Sequence, residues 1–315
     1  MGKGVTRAKN VTRWCWTQVS LCPDSLLKGH EGGRFTVKRM RFGSTEILAI
    51  HIALVLLALA AGETGAAFEG ITADSRTAGM GDCLSASSSG ARSLAPLPPS
   101  RFSGTVSFSY CAPFGVEELA EKSVVCSVPF RRKVLAVGLV ERGESLYEER
   151  ILSVSASGRP LARVSVSICL GLYSVSVSRL HKKRFVGLSG GARVRPIGSL
   201  EACAGVDNFV ASRSERALPQ TLLFGLLIMP ASDVTVSAEM RKSAEGSSCL
   251  HFGVELVAEG GVCLRCGLET EPVQLAAGLG LELGPVSLET ASSFHPVLGR
   301  TDVLTLTWRG KEGCR

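Results

Sequence analysis

Downstream of Phe68 the chain has no run of about 18 uncharged apolar residues, which excludes helical membrane spans there. Aromatic residues are scarce, with 12 Phe, 3 Tyr and 3 Trp making 6% of the chain, so interfacial aromatic girdles have little to draw on. An excess of one charge is also missing where it would matter. The formal +7 falls largely within residues 1–67, which hold nine Lys/Arg and four Asp/Glu. Subtracting these from 35 and 28 leaves 26 against 24, or +2, and no basic face for a nucleic acid. Metal motifs are equally thin. Cys263 and Cys266 form the single C-x-x-C, and no H-E-x-x-H occurs. Residues three apart in a strand face opposite sides, so this pair is not expected to chelate one ion. The nine cysteines beyond the leader read as small apolar filler, and neither metal nor cofactor is expected.

What the chain does have is alternation. From Arg163 to Leu172, Val164, Val166, Ile168, Leu170 and Leu172 oppose Arg163, Ser165, Ser167, Cys169 and Gly171. After Tyr173 the pattern resumes with Val175 and Val177 against serines. Successive strand side chains point to opposite faces, so one wall is apolar and the other polar. The same grammar recurs at Val234–Arg241, Leu275–Leu283 and Leu304–Arg309. Gly- and Pro-bearing breaks such as Gly284-Pro285 mark hairpins. Fifteen strand-like runs follow Gly104, one or two of them expected to be bent halves. A sequence of this kind predicts an all-β fold, a closed antiparallel transmembrane β-barrel of about 14 strands over 104–309, with lipid outside. Ionised groups fall on the polar parity, and a lipid-facing Arg or Lys at the midplane would cost about 2–4 kcal/mol. The lumen-lining candidates are therefore Arg163, Glu239, Arg241, Glu255, Arg265, Glu282 and Glu289. A soluble secreted β-sandwich or adhesin is the alternative, which fewer and shorter strands would favour.

The first hundred residues divide into three. Residues 1–39 are a basic leader, outside the translated protein if Met40 is the start. Residues 40–67 carry Arg41, an apolar stretch from Ile47 to Ala61 and small residues ending in Ala66 and Ala67. That is the layout of a secretory signal peptide cleaved near Ala66 or Ala67, the alternative being an uncleaved anchor. Residues 68–103 read as loop and short helix, which Pro96, Pro98 and Pro99 hand over to extended structure. Residues 310–315 form a tail.

The motifs that could carry catalysis lack the structural setting they need. Gly187-Leu188-Ser189-Gly190-Gly191 fits G-x-S-x-G, with Asp207, His251 and His295 downstream. A nucleophile elbow needs a helix after the serine, and here a strand continues to Pro196. Glycines that let a sheet curve explain the motif better, so no enzyme is expected. His181-Lys182-Lys183-Arg184 reads as a charged loop, and Glu117, Glu118, Glu121 and Lys122 as a polar loop.

Ala73-Asp74-Ser75-Arg76-Thr77-Ala78-Gly79-Met80-Gly81 resembles the opening of PorV/PorQ-type outer-membrane proteins, relatives of FadL-like fatty-acid transporters. Tyr147-Glu148-Glu149, Gly205-Val206-Asp207-Asn208, the stretch from His251 to Leu256 and the turn bearing His295, Pro296 and Gly299 follow in the same order. The resemblance implies a barrel whose N-terminal segment, with Asp74, Arg76, Gly79, Met80 and Gly81, folds partly inside the lumen as a plug. It also implies a bacterial outer-membrane location and contact with outer-membrane lipid. Two roles accompany it: a channel for small hydrophobic molecules, or a component of a type IX-like secretion system handling secreted protein cargo.

Overall fold

In a computed structural model, Phe68 and residues 74–87, 96–99, 102–144, 146–178, 182–211, 218–243 and 248–310 are described. The leader, the signal sequence, His181 and residues 311–315 lie outside them. No helix among the described residues is long and apolar enough to cross a membrane.

Fourteen strands close into one antiparallel barrel, each paired with its neighbours in sequence and β1 closing on β14. In order they are β1 (Thr105–Ala112), β2 (Glu121–Phe130), β3 (Lys133–Gly143), β4 (Tyr147–Leu161), β5 (Val164–Val177), β6 (Lys182–Ile197) and β7 (Leu200–Ala211). The second half comprises β8 (Thr221–Ala231), β9 (Val234–Ser243), β10 (Ser248–Val257), β11 (Val262–Thr270), β12 (Val273–Leu283), β13 (Val286–His295) and β14 (Gly299–Arg309). The count of fifteen runs resolves to fourteen because the two runs meeting at Leu172 and Tyr173 are one strand, β5. Tyr173 keeps the alternation by facing inward and buried, so no turn is needed there. Closure leaves no sheet edge unpaired, which a strand in hydrocarbon requires.

The two barrel ends differ. One carries the tight connections 131–132, 162–163, 198–199, 232–233 and 284–285, together with the point where the chain enters β1 and leaves β14. The other carries longer ones such as 113–120, although 271–272 there is as short. Side chains alternate as the sequence pattern requires. Val166, Ile168, Leu170 and Leu172 face out, as do Leu135, Val137 and Leu139, and Leu304, Leu306 and Trp308. Ionised groups of the described strands face inward or gather at the rims. Arg150, for example, meets Glu148 at 2.5 Å and Glu141 at 3.3 Å near the end with long connections. Cys263 is buried inside while Cys266 is exposed outside, as their spacing requires. Glu121 and Lys122 belong to β2 and not to a loop, because Glu121 turns inward to meet Arg142 at 2.8 Å.

Candidate functional site: a lumen filled by the N-terminal segment

The lumen holds the segment that precedes β1. A single-turn helix, α1 (Ser75–Gly79), starts at Asp74, whose Oδ1 accepts from the Thr77 amide at 2.8 Å. This aspartate cap satisfies a donor that the helix itself leaves open. α1 packs on β11, β12, β13 and β14, and Ser75 donates to Thr305 Oγ1 from its amide at 2.9 Å and from its hydroxyl at 2.8 Å. The segment then passes β10, β9 and β8. Ser167 and Arg193 hold its later part by donating to the carbonyls of Pro96 (2.6 Å) and Pro98 (3.2 Å).

Glycines on the inward parity make room for it. A Cβ on Gly267 would stand 1.9 Å from Gly81 N, and one on Gly253 would stand 2.6 Å from Met80 O. Gly278 lies against Gly79 in the same way, and Gly191 against Pro96. Gly81 has φ +67°, a left-handed turn that suits glycine, and Met80 beside it is fully buried. Close backbone approach is what a glycine in a strand permits, and here the approaching backbone is the plug. In Gly187-Leu188-Ser189-Gly190-Gly191 the plug's approach explains Gly191, while Gly187 makes room for the Asn208 and Tyr173 side chains. Ser189 exchanges hydrogen bonds with Asp207 and the Asn208 amide, not with a histidine.

Among the described residues, charged clusters tie the N-terminal segment to the wall. Glu255 accepts from Arg76 at 2.5 Å and from Arg265 at 2.6 Å, and Arg265 reaches Glu289 at 3.1 Å. In the second cluster Arg241 joins Glu239 (2.7 Å) to Asp82 (2.5 Å), and Glu239 also accepts from the Ser85 amide at 2.5 Å. The third pairs Arg193 with Glu201 at 2.7 Å, and Arg193 also donates to the Ser85 carbonyl at 3.1 Å. Buried carboxylates and guanidinium groups need partners, and these are shared between strands and plug.

Of the lumen candidates, Glu239, Arg241, Glu255, Arg265 and Glu289 occupy the interior. Arg163 departs from that expectation. It sits exposed in the 162–163 turn and donates to the Pro196 carbonyl at 3.1 Å, because the turn carries it past the barrel end. Glu282 also lies at the rim, pairing with Arg309 at 2.8 Å. His295, Pro296 and Gly299 form the β13–β14 turn. His295 Nδ1 accepts from the Val297 (3.1 Å) and Leu298 (3.0 Å) amides, and Gly299 has φ +101°. Sequence reading missed Asp82, Arg142, Glu149, Arg193 and Glu201. Arg193 and Glu201 share the inward parity with neighbouring small residues, so a stricter use of alternation would have found them.

Strand pairing also gathers a donor set that spacing hid. His251 pairs across from Glu269, and Cys249 is two residues from His251 on the same face. Their ligand atoms lie within 4.8 Å of one another. His251 Nδ1 donates to the Gly81 carbonyl at 2.8 Å, leaving Nε2 available. Thiol, imidazole and carboxylate together suit a zinc-like cation better than calcium or magnesium.

No protein-family model and no curated protein matches the sequence. Solved structures are similar in shape. The CymD monoaromatic hydrocarbon channel aligns over 79% of this chain and 100% of its own, with 11% identity and a TM-score of 0.54. The KdgM porin in complex with disordered oligogalacturonate covers 66% of this chain and 99% of its own at 10% identity, with a TM-score of 0.43. For the Acinetobacter baumannii outer membrane protein Omp33 the figures are 66%, 98%, 8% and 0.46. The likeness to CymD is one of fold: a closed membrane barrel.

Proposed function

We propose that this chain is a bacterial outer-membrane channel of the FadL kind, closed by its own N-terminal segment, that admits small hydrophobic molecules. The observation that carries it is a closed barrel with an apolar outer face and a plug held inside by side-chain contacts rather than by a continuous strand. Side-chain contacts can be exchanged one by one, so such a plug can shift while the wall stays intact. The longer-connection end presents Val297, 84% exposed, with Leu298, Leu146, Val116 and Leu119, an apolar fringe suited to catching an oily solute. CymD, a neighbour with the same fold, is a monoaromatic hydrocarbon channel, which supports the same substrate class. Delivery would use residues 40–67 as a Sec-type signal.

The test is conductance and hydrophobic-solute uptake in vesicles by the full chain and by a variant lacking residues 74–99. The expected outcome is a small signal from the first and a much larger one from the second. If neither conducts, and the protein co-purifies with secreted cargo, the secretion-component reading replaces this one.

A further inference from the structure

One buried group in the lumen has a geometry that an ordinary peptide unit fits poorly. Phe68 is only 6% exposed, its ring edge-on to Tyr173 at 5.1 Å and packed with Val140, Ile151, Phe185 and Leu218. Its backbone nitrogen stands 3.2 Å from Glu149 Oε1. The same Glu149 Oε1 accepts from the Tyr147 hydroxyl, and Arg142 links Glu149, at 3.7 Å, to a second carboxylate, Glu121, at 2.8 Å. With both carboxylates ionised, Glu121, Arg142 and Glu149 carry a formal −1. Glu149 Oε2 and Glu121 Oε1 are buried without a hydrogen bond. Buried carboxylates in that state call for one more cation or donor.

The backbone adds a second sign. Phe68 has φ +66°, a left-handed conformation unfavourable for a bulky aromatic residue within a chain. That torsion is defined by the carbonyl carbon of the preceding residue. A Phe68 with nothing before it has no such torsion and no such strain. The sequence supplies the third sign: Gly65-Ala66-Ala67 puts small residues at the third-last and last positions before Phe68, behind a basic and then an apolar stretch.

We propose that export cleaves the chain between Ala67 and Phe68, and that the new α-ammonium of Phe68 docks on Glu149 within the barrel. Water adds across the amide bond under a signal peptidase, Ala67 departs as a carboxylate, and the Phe68 nitrogen takes up protons to become a cation. The charge of the Glu121, Arg142, Glu149 and ammonium group is then zero. Three N–H donors replace one, and Glu149 gains a charge-assisted partner in a site closed to bulk water. The freed end of the plug is thereby fixed to the wall made by β3, β4 and β5, at the side opposite α1. This inference rests on the reading of the chain as an exported barrel.

The test uses the full precursor expressed in a bacterium with an outer membrane, with the protein purified from the envelope. Intact mass and N-terminal sequencing should place the first residue at Phe68. Amine-reactive labelling of the folded protein should leave the Phe68 α-amine protected while exposed lysines such as Lys182 react. Glu149→Gln and, as a milder change, Glu149→Asp should each raise the Phe68 labelling rate severalfold. Both variants should keep the faster gel migration of an unboiled barrel. A first residue other than Phe68, a Phe68 amine that labels as fast as lysine, or unchanged protection in both variants would overturn the proposal while leaving the channel reading intact. Absence of any heat-dependent migration in the wild type would instead count against the barrel itself.

Discussion

At Gly267 the closeness of two backbones is set by a single missing methyl group. Alanine there would place Cβ 1.9 Å from Gly81 N, so the plug would have to move away from β11. Overpacking of this kind costs about 1–3 kcal/mol. Gly267→Ala should leave the barrel folded, because the outer face is untouched, and should raise conductance by loosening the plug. Unaltered conductance in planar bilayers would show that the contact does not close the lumen. Cys83, on the plug beside Met80 and Ala86, makes a second prediction at this scale. Burial, reinforced by the Glu239 carboxylate, pushes its thiol from 9.0 up to about 12. The thiolate is the reactive form, so Cys83 should resist alkylating reagents at pH 8 while Cys126 and Cys266, exposed on the outer face, react in the detergent-solubilised protein. The sign of the stability effect follows. Above the unfolded value of 9.0 the unfolded chain holds fewer protons than the folded one, so this thiol's contribution declines as pH rises towards about 12. Mass spectrometry after timed alkylation reads the first prediction, and a melting series above pH 9 reads the second.

At the scale of elements, the plug's hold on β10, β11 and β13 passes through Arg265, which bridges Glu255 and Glu289. Arg265→Ala would leave Glu289 without its cation and Glu255 with Arg76 alone in a buried site, a change worth about 3–5 kcal/mol. Arg265→Ala should therefore lower the temperature at which the fast-migrating gel form is lost, and more than Arg163→Ala at the exposed turn. The outer face of β5 gives the complementary case. Ile168 is 51% exposed in the middle of the strand, on the side assigned to lipid. Ile168→Arg should cost about 2–4 kcal/mol in refolding titrations into lipid vesicles. A substitution cost near zero would mean that this face meets water. The β-strands themselves were plain in the sequence. The junction of Leu172 and Tyr173 misled, because a run of serines and a tyrosine resembles a turn when the partner strand is out of sight. The charged strand starts at Glu121-Lys122 and Lys182-Lys183-Arg184 likewise read as loops. Turn residues such as Arg163 were misplaced for a related reason: parity assigns a side, but not the height at which a strand ends.

For the whole molecule, the barrel and the plug obey different rules. The wall repeats one local instruction, apolar out and polar in, fourteen times, and each hairpin pairs neighbours in sequence. The plug binds through partners far apart in the chain: Arg76 meets Glu255 across 179 positions, and Ser75 meets Thr305 across 230. Closure of the lumen is a property of that second set of contacts, and the conductance comparison between the full chain and the plug deletion addresses it directly.

The sequence by itself determined the all-β class, the strand number near fourteen, the outward parity of most strands and the inward placement of Glu239, Glu255, Arg265 and Glu289. It could do so because a period of two needs no knowledge of the partner strand. It put Val175 on the apolar wall, however, whereas that residue turns in beside Tyr173. Only the tertiary structure decided which carboxylate meets which guanidinium and why glycines line β6, β10, β11 and β12. It also decided that Glu121 and Glu149 share Arg142 beside Phe68. Those contacts arise when closure of the sheet brings distant strands around one segment, and no local periodicity records that meeting.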